Sequence, residues 1–401
     1  MDFALPGEND PRRVAFRSWS SEHPSPSSRD LAAAGYVAPH WPRPWGLGAD
    51  PVTQLVIDDE LRRAGLRRPD NPIGIGWAGP TLIHAGSTAQ QERYLPSLLS
   101  GEEVWCQLFS EPGAGSDLAS LSTGAELDGE DWVVTGQKVW TSFAHRAAFG
   151  ILLARTDPEA PKQQGISYFI CPMDLPGITV RPLVDMTGDH TFNEVFFDEV
   201  RIPHRNLVGE VNRGWALAKV TLGNERVSLS GAGALWGQGP TAQDLVNVVR
   251  DAGGERDPLL RQRLAQVWGD GEILRLIRLR MISAALSGIE PGAEASVRKA
   301  LADQHGQDVM ALAKDLAGWA GMLAVSSPAP PVSAVPAPAP VPAPTPTAAP
   351  TPAKGAFRWP ASIWGQGFLF APALTIGGGT AEVQRNIIGE RTLGLPRDPE
   401  S

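Results

Sequence analysis

The chain of 401 residues is 42% apolar and 20% charged, which is typical of a globular protein with two or three domains. Its formal charge of −9 argues against a general binder of nucleic-acid phosphates, and no apolar run approaches the ~18 residues of a membrane span. Two cysteines, Cys106 and Cys171, are too few for a disulfide framework and indicate a reducing, cytoplasmic location. The start of the chain also lacks the basic and then apolar pattern of a signal peptide.

Residues 1–103 are predicted to form a helical domain. From Val52 to Ala64 and from Thr88 to Leu99, apolar side chains recur at the three-to-four spacing of a helix. Thr88 is the predicted N-cap of the second helix, because Gln91 follows three residues later and can close a capping box.

Residues 104–212 are predicted to form a small antiparallel β domain, because short runs of β-branched and aromatic residues replace the helical period. Asp128 and Gly129 are typical of a tight turn between two such runs. The predicted strands are Ala125–Leu127, Trp132–Thr135, Lys138–Trp140, Ile151–Ala154, Ile166–Cys171, Ile178–Leu183 and Val195–Phe197.

Residues 213–401 are predicted to return to helices and to carry a Pro/Ala-rich insert at 327–354. Eleven of the 25 residues from Pro328 to Pro352 are prolines, a composition that favours an extended segment with little to bury. This insert is either a surface spacer or a docking peptide for a partner domain. The predicted helices are Trp215–Gly233, Leu259–Gly288, Ala293–Gly318 and Thr380–Leu393.

Several common catalytic patterns are missing from the sequence. No serine is flanked as Gly-x-Ser-x-Gly, no Walker A motif occurs, and no Gly-x-Gly-x-x-Gly lies between a predicted strand and a predicted helix. The seven histidines are scattered, without the i, i+4 pairing of a zinc-binding helix. We therefore expect no metal site.

Two glycine-rich segments remain as candidate binding sites. In Ser110–Asp117, two glycines two residues apart precede a hydroxyl, so backbone N–H groups could approach a phosphate or a ring edge. Gly377–Gly379 precede a predicted helix, whose first N–H groups could hold an anion or a flat ligand. Taken alone, the first segment more often indicates an ordinary turn, and the second is equally compatible with a flexible helix cap.

A third candidate is Glu225, an acid on an otherwise apolar helix face. Desolvation among apolar side chains would raise its pKa toward that of a useful base. An acid in such a position can also simply pair with a neighbouring arginine. The residues that share this face at helical spacing are Ala218, Leu222, Glu225, Leu229 and Ala232.

Together these segments resemble the acyl-CoA dehydrogenase family in motif, spacing and order. The resemblance is carried by Cys106–Ser120 (CQLFSEPGAGSDLAS), Thr135–Ser142 (TGQKVWTS) and Thr375–Gly394 (TIGGGTAEVQRNIIGERTLG). It extends from Leu31 to Asp398 apart from the insert. It implies an α+β fold with an N-terminal helical domain, a middle antiparallel β-barrel and a C-terminal four-helix bundle, assembled as homodimers or homotetramers.

The resemblance also implies non-covalently bound FAD and the oxidation of acyl-CoA thioesters to 2-enoyl thioesters. The positions that match substrate contacts are Ser116, Arg226 and Gly378. The positions that match FAD-binding residues, from the flavin ring to the diphosphate and the adenosine side, are Gln107, Phe109, Ser110, Gly115, Ser116, Trp140, Ser142, Arg261, Thr380 and Glu382.

Two departures from the family pattern affect the implied site. Gly378 stands where many members carry the catalytic glutamate, whereas Glu225 matches a minority resembling isovaleryl-CoA dehydrogenase, with the base on the first helix of the bundle. Asp315 and Ala317 stand where the family has a glutamine and part of a glycine pair that contact FAD across the dimer. Glu225 is therefore the predicted base, and Gly378 keeps a backbone N–H for the thioester oxygen.

The implied reaction moves an α-proton to Glu225 and a β-hydride to flavin N5, with an electron-transfer flavoprotein as the expected acceptor. Hydrogen bonds to the thioester oxygen would stabilise the developing enolate. One alternative is a non-catalytic partner subunit of a heteromeric dehydrogenase. The other alternative is a flavin monooxygenase on the same fold, which needs no base at Glu225.

Overall fold

The computed structural model describes residues 5–229, 233–236, 239–286, 294–318, 321 and 361–397, apart from some side chains in three helices. The predicted insert at 327–354 lies outside these residues. The chain forms two compact units. Unit 1 comprises Met1–Val184, His190–Ser228 and Leu279–Ala295, and unit 2 comprises Asp185–Asp189, Leu229–Arg278 and Ser296–Ser401.

The N-terminal part is helical, as predicted. Its α-helices are α1 (Pro11–Glu22), α2 (Ser28–Ala33), α3 (Pro51–Arg63), α4 (Gly79–Ala85) and α5 (Thr88–Ser100), with a π-helical turn at Gly74–Ala78. Helices α1, α2 and α4 are additions to the two predicted helices, and Asp10 caps α1 by accepting a hydrogen bond from the backbone N–H of Arg12.

The predicted cap of α5 is wrong by one residue. Ser87 is the N-cap, and the Gln90 side chain closes the capping box by accepting from the Ser87 backbone N–H at 3.0 Å. A hydroxyl followed three residues later by a glutamine also describes Thr88 and Gln91, so the sequence offers both registers. The buried side chain of Gln90 decides between them, because it also donates to the backbone oxygens of Arg205 and Leu207.

The middle of the chain forms one eight-stranded sheet. Its strand order is β6-β7-β3-β2-β4-β5-β8, and β1 pairs with β4. The strands are β1 (Trp105–Leu108), β2 (Gly124–Asp128), β3 (Asp131–Lys138), β4 (Phe149–Arg155), β5 (Ile166–Pro172), β6 (Ile178–Leu183), β7 (Phe192–Pro203) and β8 (Leu207–Val208).

The antiparallel prediction holds for most strand pairs and is wrong for two. Strand β1 runs parallel to β4, and β2 contacts β4 in a parallel bridge. Neither pair is joined by a tight turn, and the long connections between them permit the parallel direction. Strand β3 ends at Lys138, so the predicted strand Lys138–Trp140 is also wrong, and Trp140 instead adopts a left-handed conformation with φ +60°.

Alternating side chains of the sheet enter two separate cores in unit 1. Trp105 and Ile151 pack with the N-terminal helices, whereas Cys106 and Leu152 pack in a second cluster on the other face of the sheet. This period of two along β1 and β4 gives the sheet two buried faces. Strand β1 is therefore fixed between the two cores, directly before the first glycine-rich segment.

The C-terminal part is helical, as predicted, with two helices beyond the predicted set, α7 and α10. An apolar cluster that includes Leu245, Val309 and Trp364 forms the core of unit 2. The helices are α6 (Gly214–Leu229), α7 (Ala242–Asp251), α8 (Pro258–Leu286), α9 (Glu294–Leu316), α10 (Ala361–Phe370) and α11 (Ala381–Ile387), and α11 continues into a π-helical turn at Ile388–Thr392.

Candidate functional site

Gln107 and Glu225 meet where strand β1 faces helix α6. Gln107 lies between Trp105 and Phe109, which are both buried in the first core, and Glu225 is only 6% exposed. The Gln107 amide Nε2 donates a hydrogen bond to Glu225 Oε2 at 3.4 Å. The structure therefore brings the predicted base next to a predicted cofactor-binding residue.

Helix α6 is held at this place by a buried group of hydroxyls. Thr221 lies one turn before Glu225, and its Oγ1 is 2.8 Å from Thr81 Oγ1 and 3.1 Å from the Tyr168 hydroxyl. Ala218 is buried and Leu222 packs against the first core, so the apolar helix face is confirmed over these positions. The side chains of Arg226 and Leu229, and residue Ala232, lie outside the described part of the chain.

The segments after β1 and after β3 run side by side. The backbone N–H of Val139 donates to Ser110 O at 2.9 Å. Trp140 follows in a left-handed conformation, which costs a non-glycine residue roughly 1–2 kcal/mol and is typical of functional sites. Trp140 is 64% exposed and its indole lies edge-on to Phe192, while Ser142 is half-buried.

Asn193 supports this strained segment from β7. It is fully buried, its Nδ2 donates to Thr141 O at 3.0 Å, and its backbone oxygen accepts from the Thr141 N–H at 3.0 Å. Nothing in the sequence patterns singled out Asn193. Its role depends on a pairing between residues that are 52 positions apart.

The first glycine-rich segment forms an open loop. A Cβ added at Gly113 or Gly115 would meet no atom within 4 Å, and Gly115 and Ser116 are exposed. The space next to its backbone is therefore open, and ligand binding there stays a prediction.

The second glycine-rich segment forms a turn in unit 2. Gly378 and Gly379 have φ values of +67° and +87°, which suit glycine. Gln384 is fully buried, and its Nε2 donates to Gly378 O at 3.3 Å and to Gly379 O at 3.1 Å. Thr380 caps α11 through its side chain, which accepts a hydrogen bond from the Val383 N–H. One acceptor site of its hydroxyl therefore serves the helix itself. Glu382 is exposed in the first turn of α11.

Arg261 lies on an exposed face near the start of α8. Asp315, one of the two departures from the family pattern, pairs with Arg263 at 2.8 Å. Burial alone would raise the pKa of Asp315, but hydrogen bonds from Arg263 and Lys314 lower it. Asp315 therefore has a structural partner in unit 2.

The predicted site residues fall in both units. Gln107, Trp140 and Glu225 belong to unit 1, whereas Arg261 and Gly378 belong to unit 2. A single site that uses both sets stays a prediction. Within the residues that the structure describes, no group of three or more His, Cys, Asp or Glu side chains could hold a metal ion. No helix there is long and apolar enough to cross a membrane.

Comparison with known proteins decides the family. The family models for the N-terminal, middle and C-terminal domains of acyl-CoA dehydrogenases match residues 9–102, 106–200 and 212–393. The chain belongs to the acyl-CoA dehydrogenase family. This result confirms the predicted family, its three-domain fold class and its place among oxidoreductases. The proposed subgroup and the exact domain boundaries stay predictions.

Several curated relatives within the family come from mycobacteria. The chain is 41% identical over 367 residues to acyl-CoA dehydrogenase FadE34 of Mycobacterium tuberculosis, covering 92% of this chain and 46% of that protein. It is 38% identical to acyl-CoA dehydrogenase IpdE1 of the same organism, covering 92% and 87%. The chain thus spans about half the length of FadE34 and most of the length of IpdE1.

Solved structures of the family cover nearly the whole chain. One is titled the Tcur3481-Tcur3483 steroid ACAD, with a TM-score of 0.77 and 31% identity over 99% of this chain and all of that chain. Another is the ChsE4-ChsE5 complex from Mycobacterium tuberculosis, with a TM-score of 0.75 and 30% identity over 99% of this chain and all of that chain.

The residues of unit 1 fit the flavin that the family uses. Gln107 Oε1 is buried and has no hydrogen-bond partner among the described residues, so it can accept from a ligand's polar edge. The exposed Trp140 indole offers a flat apolar surface, which a ring system would cover. The open loop at Gly113–Ser116 leaves space for phosphate groups. Gln107, Ser110, Trp140 and Ser142 stay the residues of unit 1 that are predicted to hold the ring.

Proposed function

We propose that the protein catalyses FAD-dependent α,β-dehydrogenation of an acyl-CoA or carrier-bound acyl thioester. The observation that carries this proposal is a buried carboxylate, Glu225, on the helix face directed at β1 and in contact with Gln107. The family supports the reaction class. An electron-transfer flavoprotein is the proposed final acceptor.

Glu225 takes the α-proton in this proposal. Bound FAD would supply the acceptor for the β-hydride. The Gln107 amide donates a hydrogen bond to the carboxylate at 3.4 Å, and such a bond orients the carboxylate that accepts the proton. Thr221 fixes the helix turn that precedes Glu225, so the carboxylate is positioned by its bond to Gln107 and by the anchored helix.

Gly378 is the proposed donor to the thioester oxygen through its backbone N–H. The positive φ of Gly378 and the bonds from Gln384 hold this turn in one conformation within unit 2. A preorganised donor of this kind stabilises developing negative charge on the substrate oxygen. Arg226 and Ser116 are further proposed substrate contacts.

Exchange of Glu225 for glutamine tests the base. Glu225→Gln should retain flavin and substrate binding, because the amide is nearly isosteric with the carboxylate. It should slow flavin reduction by at least ~10³-fold, about 4 kcal/mol of transition-state stabilisation. The measurement is bleaching of the flavin's visible band by a panel of acyl-CoA thioesters under anaerobic conditions.

Glu210→Gln is the matched control, because Glu210 is an exposed acid that precedes α6. It should reduce its flavin at the wild-type rate. A wild-type rate in Glu225→Gln would place the base elsewhere. Because a flavin monooxygenase would also bind flavin, reduction by acyl-CoA in the absence of oxygen is the result that favours the dehydrogenase.

A second candidate is a subunit of a heteromeric dehydrogenase that acts on a steroid acyl thioester. It is favoured by the titles of the two solved relatives, one called a steroid ACAD and the other a complex of two named chains. Gly378, in place of the usual glutamate, fits a subunit that depends on another chain. Co-purification of a second chain, with flavin reduction only by the mixture, would establish this candidate over the homo-oligomer.

A further inference from the structure

Glu111 carries a buried carboxylate that no part of the proposed reaction uses. Glu111 follows Ser110 directly in the sequence, and its side chain is 4% exposed. Oε2 accepts from the Ser122 backbone N–H at 2.6 Å and from Ser122 Oγ at 2.8 Å, and Oε1 accepts from the Thr123 N–H at 2.9 Å. Glu111 therefore ties together the two ends of the loop that contains Gly113–Ser116.

Lys138 completes the bonding of Glu111 from the end of β3. Its side chain is fully buried, and Nζ donates to Glu111 Oε1 at 2.8 Å and to Phe109 O at 3.1 Å. The backbone pair of Val139 N–H and Ser110 O lies next to these bonds. The Glu111–Lys138 pair thus joins three pieces of chain: the end of β1, the closing end of the loop, and the start of the Trp140 segment.

A buried ion pair is weak support for stability, because desolvation offsets much of the attraction between the charges. Two other buried ion pairs, both between helical residues, serve as a comparison. Lys299 and Asp303 lie one turn apart on α9, and Arg13 and Glu60 join α1 to α3. The charged partners of both pairs lie on helices, although Arg13 also donates to Pro6 O and Lys299 to Leu374 O. Glu111 and Lys138 differ in their place, because they bond to the backbone of Phe109, Ser122 and Thr123, on either side of the glycine-rich loop.

We propose that Glu111 and Lys138 are positioning residues for the flavin: their buried ion pair fixes the Ser110–Ser116 loop and the Trp140–Ser142 segment relative to each other. This proposal rests on the proposed function, because it takes FAD as the ligand of both segments. Neither residue touches the reacting atoms. Their effect is exerted through the backbone of Phe109, Ser122 and Thr123.

The test measures FAD affinity and thermal stability separately. Glu111→Gln and Lys138→Met each leave one buried partner unbalanced, so both variants should lose stability. The double variant Glu111→Gln/Lys138→Met removes both charges with similar side-chain volumes and should recover most of that loss. Its FAD dissociation constant should still rise at least ~10-fold, because the bonds to Phe109 O, Ser122 and Thr123 are weakened or lost.

A milder variant and a control complete the set. Ser122→Ala removes one hydroxyl bond to Glu111 from an exposed position, so the fold is retained and FAD affinity should fall about 2–5-fold. Glu60→Gln breaks a buried ion pair between helices α1 and α3 and should lower the melting temperature without changing FAD affinity. Affinity is read from quenching of flavin fluorescence in the assembly in which the chain is isolated.

The outcomes separate the two proposals. If the wild-type protein fails to bind FAD, the proposed function is wrong and the positioning role falls with it. If the wild-type protein binds FAD and the double variant and Ser122→Ala bind it equally well, only the positioning role is overturned. Weakened FAD binding in the double variant and in Ser122→Ala, with unchanged binding in Glu60→Gln, supports the positioning role.

Discussion

At the scale of single residues, the side chains that the sequence could single out are those whose role follows from local spacing. Glu225 is one, because the helical period places an acid on an apolar face, and the structure confirms its burial. Glu111 and Lys138 are the opposite case. They lie 27 residues apart, and in the sequence both look like ordinary charged surface positions. They come together because the segment after β1 runs beside the segment after β3, where the Val139 N–H donates to Ser110 O.

The loss of stability at acidic pH should depend on Glu111. Burial alone would raise the pKa of Glu111, but the nearby Lys138 ammonium and hydrogen bonds from Lys138, Ser122 and Thr123 lower it to about 2. Because the folded pKa is depressed, its contribution is present above the ordinary value of 4.5 and is lost as the pH falls through about 2.

In the wild-type protein, Glu111 should account for about 3 kcal/mol of the free energy of unfolding lost between pH 4.5 and 2. Glu111→Gln should therefore be less stable at neutral pH, and its free energy of unfolding should fall less steeply as the pH is lowered. Urea unfolding at a series of pH values measures both. Glu126→Gln, an exposed acid on β2, is the control and should follow the wild-type curve. If Glu111→Gln and the wild type lose the same free energy of unfolding over this pH range, the Glu111 carboxylate does not stabilise the fold as expected.

At the scale of elements, most helix and strand positions were predictable, whereas several of their ends were not. The strand Ile178–Leu183 is observed as predicted, and helix α5 was assigned to within a residue. The errors have physical causes. The cap of α5 depends on where the buried Gln90 reaches, and the early end of β3 depends on the left-handed Trp140. The periodicity of a segment does not contain either contact.

The cap of α5 gives a direct test of register. Ser87→Ala removes the side-chain acceptor of the Gln90 N–H at 3.2 Å and should cost about 1 kcal/mol in the free energy of unfolding. Thr88→Ala should cost much less, because Thr88 is the first residue inside the helix and alanine has the higher helix propensity. Chemical denaturation of the two variants compares them. A larger loss for Thr88→Ala would restore the register expected from the sequence.

At the scale of the whole molecule, the order of helical, β and helical regions follows from the sequence, and the family match confirms it. The composition alone could not predict how the predicted site residues are shared between two compact units. The resemblance supplied that set, from Trp140 for the ring to Arg261 for the diphosphate. The prediction of the cofactor's identity depends on residues from both units.

The whole-molecule prediction is that the bound flavin is FAD and not FMN. Trp140 and Ser142 in unit 1 would suit the ring of either flavin, whereas Ser116 and Arg261 are useful only if a diphosphate is present, which FMN lacks. The apoprotein should therefore bind FAD at least ~10-fold more tightly than FMN. Heat release and chromatography identify the flavin that co-purifies, and reconstitution with each flavin compares the affinities. Equal affinity for FMN would mean that Arg261 and the Ser116 loop serve another ligand, and the cofactor assignment would be wrong.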